Sequence, residues 1–402
     1  MSRIFCGWEL GNELSHLSHL SELSHHLTKQ GHAVTLALRD LSRPHFFFRK
    51  QNVPILQAPV WNFPVKLERP VVCLADVLLM KGYLYDTTLR NLVNAWRGLL
   101  DLVKPDLVVC EYAPTLLLAL WQSDIPKVIM GSGFSELVPG HPMPDWRPGQ
   151  PADGFVHRQE QLLLPIVNQV LESLDKSPLN HFSDLYGADL TVIKTLPQLD
   201  LQQRPTDTNT FYCIPKSNGV RQGAEWTAGS EPKIFAYLSP EHPQWETLIQ
   251  ALKLSNARVF LHCPGDKRQR FQPYTEGRFR LSTDNIDMTT SLKDADLFVG
   301  HGSMTSIAQA LTSGIPVLTF PIQLEQLLNG QKIQALGAGQ CIPQIKSAQE
   351  GATIINRLLA DRTRKMNADN LAQAAAALPT DQAMALVAQQ CAQLISSQHI
   401  DV

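Results

Sequence analysis

The fold of this chain is decided by one stretch, Gly300-His301-Gly302-Ser303-Met304-Thr305-Ser306-Ile307-Ala308-Gln309-Ala310-Leu311. The apolar run Leu297–Val299 precedes it and predicts a buried strand that stops at a glycine. Apolar residues then recur at positions 304, 307, 308 and 311, a spacing typical of one helix face. A strand, a tight turn and a helix in this order leave backbone N–H groups unpaired at the helix start. With the positive end of the helix dipole they predict an anion site suited to a phosphate, to which His301 adds a donor or a positive charge.

The next segment predicts a second polar cluster close to the first. Ser313-Gly314-Ile315-Pro316 leads into the apolar strand 317–320, and the polar residues Glu325, Gln326 and Asn329 follow it. Polar side chains just beyond the carboxyl end of a strand are placed to hydrogen-bond a ligand's hydroxyl groups. The region 300–329 therefore predicts a site for a ligand that carries both phosphate and hydroxyl groups.

The length and composition indicate a globular protein of two domains. A chain of 402 residues is too long for one ordinary core, and 44% apolar with 18% charged residues is typical of folded chains. The 35 Lys and Arg residues nearly balance the 37 Asp and Glu residues. Because no basic cluster stands out, nucleic acid is not an expected partner.

The cysteines and the N-terminus predict a cytoplasmic location. The seven cysteines include no CxxC pair, which argues against a disulfide framework or a zinc site. Only a short apolar piece follows Met1, so a signal peptide is not expected. No apolar run reaches the length of a transmembrane span, and the segments 71–80 and 116–121 predict core or, at most, a surface that touches lipid.

Short apolar segments alternate with helical patterns along both halves of the chain. Strands are expected at Arg3–Trp8 and Ala33–Leu38, a long helical stretch at 79–103 that is broken only weakly at Gly82, and a helical tail over 366–397. This alternation predicts an α/β fold of two Rossmann-like, doubly wound parallel-sheet domains that face a cleft.

Domain boundaries follow from changes in composition. Residues 1–205 are expected to form the first domain and residues 232–380 the second. The segment 206–231 is rich in Pro, Thr, Asn, Gly and Ser without periodicity, which predicts a linker. Residues 381–402 are expected to form a helix that packs back on the first domain.

Three motifs in order resemble the two-domain glycosyltransferases of family 1, which have the GT-B fold, and especially their bacterial branch related to macrolide and UDP-glycosyltransferases. The first is the family's His-Gly-Gly turn, Glu-Ala-Leu helix, Gly-x-Pro strand and later acidic, Gln and Asn residues. It is matched here by His301-Gly302, Gln309-Ala310-Leu311, Gly314-Ile315-Pro316, Glu325-Gln326 and Asn329. The second, Trp8–Leu17, lies where the family has a glycine-rich loop ending in Gly-His. The third, Pro105–Glu111, resembles the family strand that ends in an orienting carboxylate.

The resemblance implies an inverting, metal-independent transfer of a sugar from a nucleotide diphosphate sugar to an acceptor hydroxyl. The donor would be a UDP- or dTDP-sugar, the acceptor a small molecule, natural product or lipid, and no cofactor would be tightly bound. His16 would be the general base, since histidine titrates near neutrality. Glu111 would hold its tautomer and stabilise the imidazolium ion.

The resemblance also implies a donor-binding set in the second domain. The expected diphosphate contacts are Ser239, His301, Gly302, Ser303, Met304 and Thr305. Glu325 and Gln326 would bind the hydroxyls of the donor sugar. Gln309 stands where the family has a glutamate for the ribose, so a charge-assisted hydrogen bond is replaced by a neutral one. Ser303 and Thr305 replace glycines, which restricts the backbone but adds hydroxyl donors.

Two other functions remain open from the sequence. A nucleotide-sugar 2-epimerase on the same fold would use several carboxylates, for which Glu13, Glu111 and Asp266 are candidates. A non-catalytic descendant would bind a nucleotide sugar without transferring it.

The five histidines within 16–32 do not predict a metal site. His16 and His19 share a helix face, but His25 and His26 point about 100° apart, and no cysteine or carboxylate completes a ligand set. The oligomeric state stays open.

Overall fold

The chain is divided into two compact units, each built on a parallel sheet. The first unit comprises residues 1–194, 202–215 and 381–402, and the second comprises residues 195–201 and 216–380. The computed structural model describes the following residues: 1–11, 14–63, 65–147, 154–205, 209–214, 223–264, 273, 275–284, 286–380 and 382–398.

The first unit has a parallel sheet that, over its described residues, contains seven strands. They are β1 (Arg3–Trp8), β2 (Ala33–Leu38), β3 (Ile55–Gln57), β4 (Leu107–Glu111), β5 (Lys127–Gly131), β6 (Leu190–Ile193) and β7 (Thr210–Tyr212). Their order across the sheet is β3-β2-β1-β4-β5-β6-β7. Before the second unit begins, the described helices of this unit are α1 (Leu14–Lys29), α2 (Leu74–Leu79), α3 (Asp86–Val103), α4 (Pro114–Ala119) and α5 (Phe155–Glu172). Every residue of β4 is buried, as expected for a central parallel strand covered by helices on both faces.

The second unit repeats this architecture. Its strands are β8 (Lys233–Tyr237), β9 (Arg258–His262), β10 (Phe279–Ser282), β11 (Leu297–Gly300), β12 (Val317–Thr319) and β13 (Gly339–Cys341). They pair in parallel in the order β10-β9-β8-β11-β12-β13. The helices are α6 (Trp245–Leu254), α7 (Met288–Lys293), α8 (Met304–Thr312), α9 (Leu324–Ala335), α10 (Ala348–Leu359) and α11 (Arg362–Ala375). Both sheets thus confirm the predicted doubly wound α/β class.

The alanine-rich tail is helical as predicted, and it forms two helices. Helix α11 packs on α8 in the second unit, and α12 (Ala383–Gln398) packs on α1 in the first. Met384, Val387 and Cys391 of α12 are fully buried in the core of the first unit. Pro379 lies between the two helices and disfavours a continuous helix through this point.

The break at Gly82 is stronger than the weak interruption predicted within the helical stretch 79–103. Helix α2 ends at Leu79 and α3 begins at Asp86. Gly82, between them, has a φ of +97°, and a Cβ there would lie 2.7 Å from a methyl group of Leu92. The segment therefore needs the left-handed backbone that glycine adopts, which breaks the helix. Thr210–Tyr212, inside the segment expected to be a linker, forms the edge strand β7.

Candidate active site

Each sheet has one point at which the order of its strands reverses. These switch points lie between β1 and β4 in the first unit and between β8 and β11 in the second. Connections from two such strands leave in opposite directions, which opens a crevice at their carboxyl ends where α/β sheets bind ligands. Four of the predicted site residues follow or end these strands: His16, Glu111, Ser239 and His301.

In the first unit the structure brings His16 and Glu111 together. His16 lies in the first turn of α1, and its Nδ1 is 2.7 Å from Oε1 of Glu111 at the end of β4. An ionised carboxylate can only accept a hydrogen bond, so Nδ1 carries the proton and Nε2 is left as the basic nitrogen. The ring of Trp8 stacks on the imidazole with centroids 5.5 Å apart and an interplanar angle of 25°. The ring of His16 is thus held in both orientation and tautomer.

Gly11 makes room for the basic nitrogen of His16. Its φ is +80°, and a Cβ at this position would lie 2.6 Å from Nε2. Arg39 donates a hydrogen bond to the carbonyl oxygen of Gly11, and its guanidinium lies 5.9 Å from the ring centroid of Trp8. The loop after β1 is therefore shaped around the imidazole.

Glu111 is ionised although it is completely buried. Burial alone would raise the pKa of Glu111, but the charge of Lys194 and the hydrogen bond from His16 lower it below its ordinary value. The Nζ of Lys194 lies 2.6 Å from Oε1 of Glu111, and the Lys194 side chain is 5% exposed. The ammonium group of Lys194 thus offsets the cost of burying this carboxylate.

In the second unit Ser239 and His301 meet across the switch point. The backbone N–H of Ser239 donates to Nε2 of His301 over 2.6 Å, and Nδ1 of His301 lies 3.4 Å from the carbonyl oxygen of Phe320. The ring of His242 is nearly parallel to that of His301, with centroids 5.3 Å apart. The backbone therefore occupies both nitrogens of His301.

The prediction that His301 could carry a positive charge is wrong. Burial and the neighbouring His242 lower the pKa of His301 to about 4, against the opposing effect of the Phe320 carbonyl. Because Nε2 accepts a backbone hydrogen bond, the ring is neutral near pH 7 and presents no N–H there to a phosphate. His301 instead ties together the loops after β8, β11 and β12.

The start of α8 is shaped by Gly302. Its φ is +104°, and a Cβ there would lie 2.6 Å from the backbone carbonyl oxygen of Gln326. The Nδ2 of Asn329 donates to the Gly302 carbonyl over 3.0 Å. Ser303, at the N-cap, makes no side-chain capping bond, so it does not close the first turn. This nine-residue helix therefore begins at a tight turn whose own cap residue leaves it open to an anion.

The other predicted donor residues differ in their surroundings. Met304 is buried, and its sulfur accepts a hydrogen bond from the Thr195 hydroxyl over 3.0 Å, whereas Thr305 is half-buried. Gln309 exposes 5% of its surface within α8. Their binding roles stay predictions.

Glu325 and Gln326 lie in the first turn of α9, and their surroundings differ. The Oε1 of Gln326 accepts a hydrogen bond from the backbone N–H of Ile322 over 3.0 Å, and Gln326 is 7% exposed. Its amide oxygen thus braces the turn before α9. Glu325 is half-buried, and its role toward the sugar stays a prediction.

Comparisons with known proteins find similar sequences. Residues 247–394 match the family model described as Erythromycin biosynthesis protein CIII-like, C-terminal domain. The NDP-glycosyltransferase YjiC of Bacillus subtilis (strain 168) is 32% identical over 208 residues, which are 48% of this chain and 53% of that protein. The chain therefore spans about half the length of this relative. The PGL/p-HBAD biosynthesis glycosyltransferase Rv2958c of Mycobacterium tuberculosis is 23% identical over 72% of each chain.

Solved structures of similar fold cover nearly the whole chain. The spinosyn rhamnosyltransferase SpnG matches with a TM-score of 0.66 and 17% identity, over 98% of this chain and 100% of that one. The glycosyltransferase VinC, solved in complex with dTDP, matches with a TM-score of 0.66 and 15% identity over the same shares. The chain is similar to these glycosyltransferases in sequence over part of its length, and it has the GT-B fold. The resemblance inferred from the three motifs is confirmed.

Three residues near the site of this GT-B chain were not predicted. Lys194 follows β6 at the same sheet edge as Glu111, and only that position hints at its role. Glu9 is buried and accepts hydrogen bonds from the backbone and hydroxyl of Thr115; burial raises the pKa of Glu9 to about 7. His242 stacks on His301. Each becomes visible only when distant segments are brought together.

The carboxylates of the epimerase alternative do not form a set in the described part of this GT-B chain. Glu13 and Asp266 lie outside the described residues. Glu111 is engaged by His16 and Lys194. Over the described ranges, no group of three or more His, Cys, Asp or Glu side chains is arranged to hold a metal ion.

The neutral state of His301 has a measurable consequence. In the unfolded chain a histidine has a pKa near 6.5. In the folded chain burial lowers the pKa of His301, and likewise that of His262, to about 4. Between these limits the unfolded state binds more protons, so we expect the second unit to lose stability as pH falls through this window. Histidine-selective NMR titration and urea unfolding at several pH values measure both effects. A His301 ring that titrates near pH 6.5 would contradict the assignment.

Proposed function

We propose that this chain is an inverting, metal-independent glycosyltransferase that moves a sugar from a nucleotide diphosphate sugar to an acceptor hydroxyl. The observation that carries the proposal is the hydrogen bond from His16 to Glu111 at the switch point of the first sheet. It leaves Nε2 of His16 as an oriented base. The relatives and structural neighbours named above are glycosyltransferases, and VinC was solved in complex with dTDP, which supports a nucleotide-sugar donor.

In the proposed step His16 activates the acceptor. Its Nε2 takes the proton of the acceptor hydroxyl while the oxygen forms a bond to the anomeric carbon of the donor sugar. The bond from that carbon to the diphosphate oxygen breaks, and its electron pair leaves with the nucleotide diphosphate. Attack opposite the leaving group inverts the anomeric configuration. The charge of Glu111 stabilises the imidazolium ion that forms.

The leaving diphosphate would be stabilised by the second unit. The start of α8 offers backbone N–H groups and the positive end of the helix dipole, with the hydroxyls of Ser303 and Thr305 beside them. Gly302 and Asn329 hold this turn, so the donors are oriented before the charge develops. These groups replace the charge that a metal ion supplies in other transferases, and Glu325 would bind the sugar.

A cavity of about 310 Å³ in the first unit is our candidate for binding the acceptor. It is lined by Trp8, Arg39, Asp40, Leu41, Arg43 and Gln57. Trp8 connects it to the base, since its ring stacks on His16. The largely polar lining favours an acceptor that carries several polar groups over a purely apolar one.

The compartment proposed for this reaction is the cytoplasm. The seven cysteines are all free and buried, as expected for a chain in a reducing environment. Among the described residues, no helix has both the length and the apolar character that crossing a bilayer requires.

The proposal is tested by incubating the full chain with UDP- and dTDP-sugars and a panel of hydroxylated acceptors in the presence of EDTA. We expect release of nucleotide diphosphate that depends on the acceptor, and a glycoside whose anomeric configuration is inverted by NMR. Release without acceptor, together with an epimerised sugar, would favour the epimerase. Binding of nucleotide with no product from any pair would favour a non-catalytic descendant.

A further inference from the structure

One oxygen atom of Glu111 carries two hydrogen bonds. His16 Nδ1 lies 2.7 Å and Lys194 Nζ 2.6 Å from the same Oε1. The other oxygen, Oε2, is buried without a hydrogen-bond partner. Since the Glu111 side chain is 1% exposed, water does little to screen its charge. The state of His16 and the charge of Lys194 are therefore coupled through one buried carboxylate.

A carboxylate that touches only an imidazole favours the charged ring. Opposite charges stabilise one another in a buried site, so an isolated His–Glu pair holds a proton more tightly. A cation at the same carboxylate oxygen weakens the stabilisation of the charged ring in two ways. It offsets the negative charge of the carboxylate, and it repels the imidazolium ion. A general base must be neutral before it can accept a proton, so this opposition favours the active form of His16.

The other titratable groups described around this cluster do not supply the positive charge that Lys194 brings to Glu111. On α1, burial and the charge of Lys194 hold the pKa of His19 well below its usual range. After β5, burial raises the pKa of Glu136, and the charge of Glu111 adds to that rise. After β7, burial raises the pKa of Cys213 to about 12, with Lys194 opposing. Among the described residues, no other lysine or arginine forms an ion pair with Glu111.

We propose that Lys194 is a positioning residue that offsets the charge of buried Glu111 and so prevents this carboxylate from holding His16 in the protonated state. The inference rests on the proposed role of His16 as the general base. In this arrangement Glu111 orients the imidazole, while Lys194 ensures that the ring is neutral and ready when the acceptor binds.

The variant Lys194→Met removes the charge and keeps much of the side-chain volume. We expect the midpoint of the His16 titration, followed by NMR of the full chain labelled in histidine, to move to higher pH by about one to three units. The acidic limb of kcat/KM should move in the same direction, so the loss of rate is larger at low pH than at high pH. A role in packing alone would lower the rate without this dependence on pH.

Two variants serve as controls for charge. Lys194→Arg keeps the cation, and we expect it to restore the midpoint. Lys29→Met removes an exposed lysine from the same helix as His16 and should leave the midpoint unchanged. An unmoved midpoint and acidic limb in Lys194→Met would overturn the proposal.

Glu111→Gln provides an independent test should Lys194→Met not fold. It leaves the cation beside His16 without the carboxylate, so the midpoint should fall, and a rise would contradict the coupling. The titration does not depend on turnover. A chain that transfers no sugar but shows the shift would refute the proposed function alone, and an active chain without the shift would refute the role of Lys194 alone.

Discussion

Replacing His16 by alanine is expected to lower kcat for sugar transfer by about 10²–10⁴-fold. The variant loses the Nε2 that accepts the proton of the acceptor hydroxyl, while Glu111 and the fold around it remain. The donor diphosphate is assigned to the second unit, so binding of UDP or dTDP should be unchanged. Initial rates with saturating donor measure the first effect, and isothermal calorimetry measures the second.

The matched control for His16 is His25→Ala on the same helix. His25 is exposed, so its removal tests for a general effect of losing a histidine from α1. We expect this control to keep the activity of the unaltered chain. Undiminished turnover in His16→Ala would refute the assignment of the base, and a loss of nucleotide binding would show that the substitution acts beyond the first unit.

Replacing Gly302 by alanine is expected to weaken UDP or dTDP binding by about tenfold or more. The added Cβ would lie 2.6 Å from the backbone carbonyl oxygen of Gln326, and the φ of +104° is unfavourable for alanine. The turn before α8 must then shift, which disturbs the Asn329 hydrogen bond and the N–H groups proposed to bind the diphosphate. Such strain costs about 1–3 kcal/mol of stability, which urea unfolding of the second unit measures.

Gly277→Ala is a control that introduces backbone strain without the Cβ clash expected in Gly302→Ala. Gly277 also has a positive φ, of +59°, but nothing lies within 4 Å of a Cβ built there. We expect this variant to lose some stability and to bind nucleotide normally. If Gly302→Ala bound UDP and dTDP as tightly as the unaltered chain, the start of α8 would not be the diphosphate site.

Much of the fold could be predicted because its signals are local. The strands Arg3–Trp8 and Ala33–Leu38 have the predicted bounds, since an apolar run buried on both faces is recorded in the sequence itself. The break within 79–103 is stronger than predicted, because it depends on the conformation of Gly82 and on its contact with Leu92. A glycine within a helical pattern is often tolerated, and only its neighbours decide whether the chain turns there.

The candidate site was also predicted only in part from the sequence. His16 and Glu111 were predicted as a pair from motifs at two strand ends, and the structure places them 2.7 Å apart. The sequence suggested that His301 could carry a positive charge. Its protonation state depends on contacts with Ser239, Phe320 and His242, which only the tertiary fold brings close to it. A residue type indicates which charges are available, whereas burial and partners decide which state is populated.

The sequence by itself determined the two doubly wound sheets and the tight turn at 300–305, because these depend on periodicity and spacing, which are properties of neighbouring residues. The pairing of histidine and glutamate at the strand ends followed from the resemblance to the glycosyltransferases. Only the tertiary structure decided that Lys194 shares the carboxylate oxygen of Glu111 with His16, and that His301 is a neutral brace. The physical reason is that electrostatic energies depend on distance and solvent exposure, and folding sets both between residues far apart in the chain.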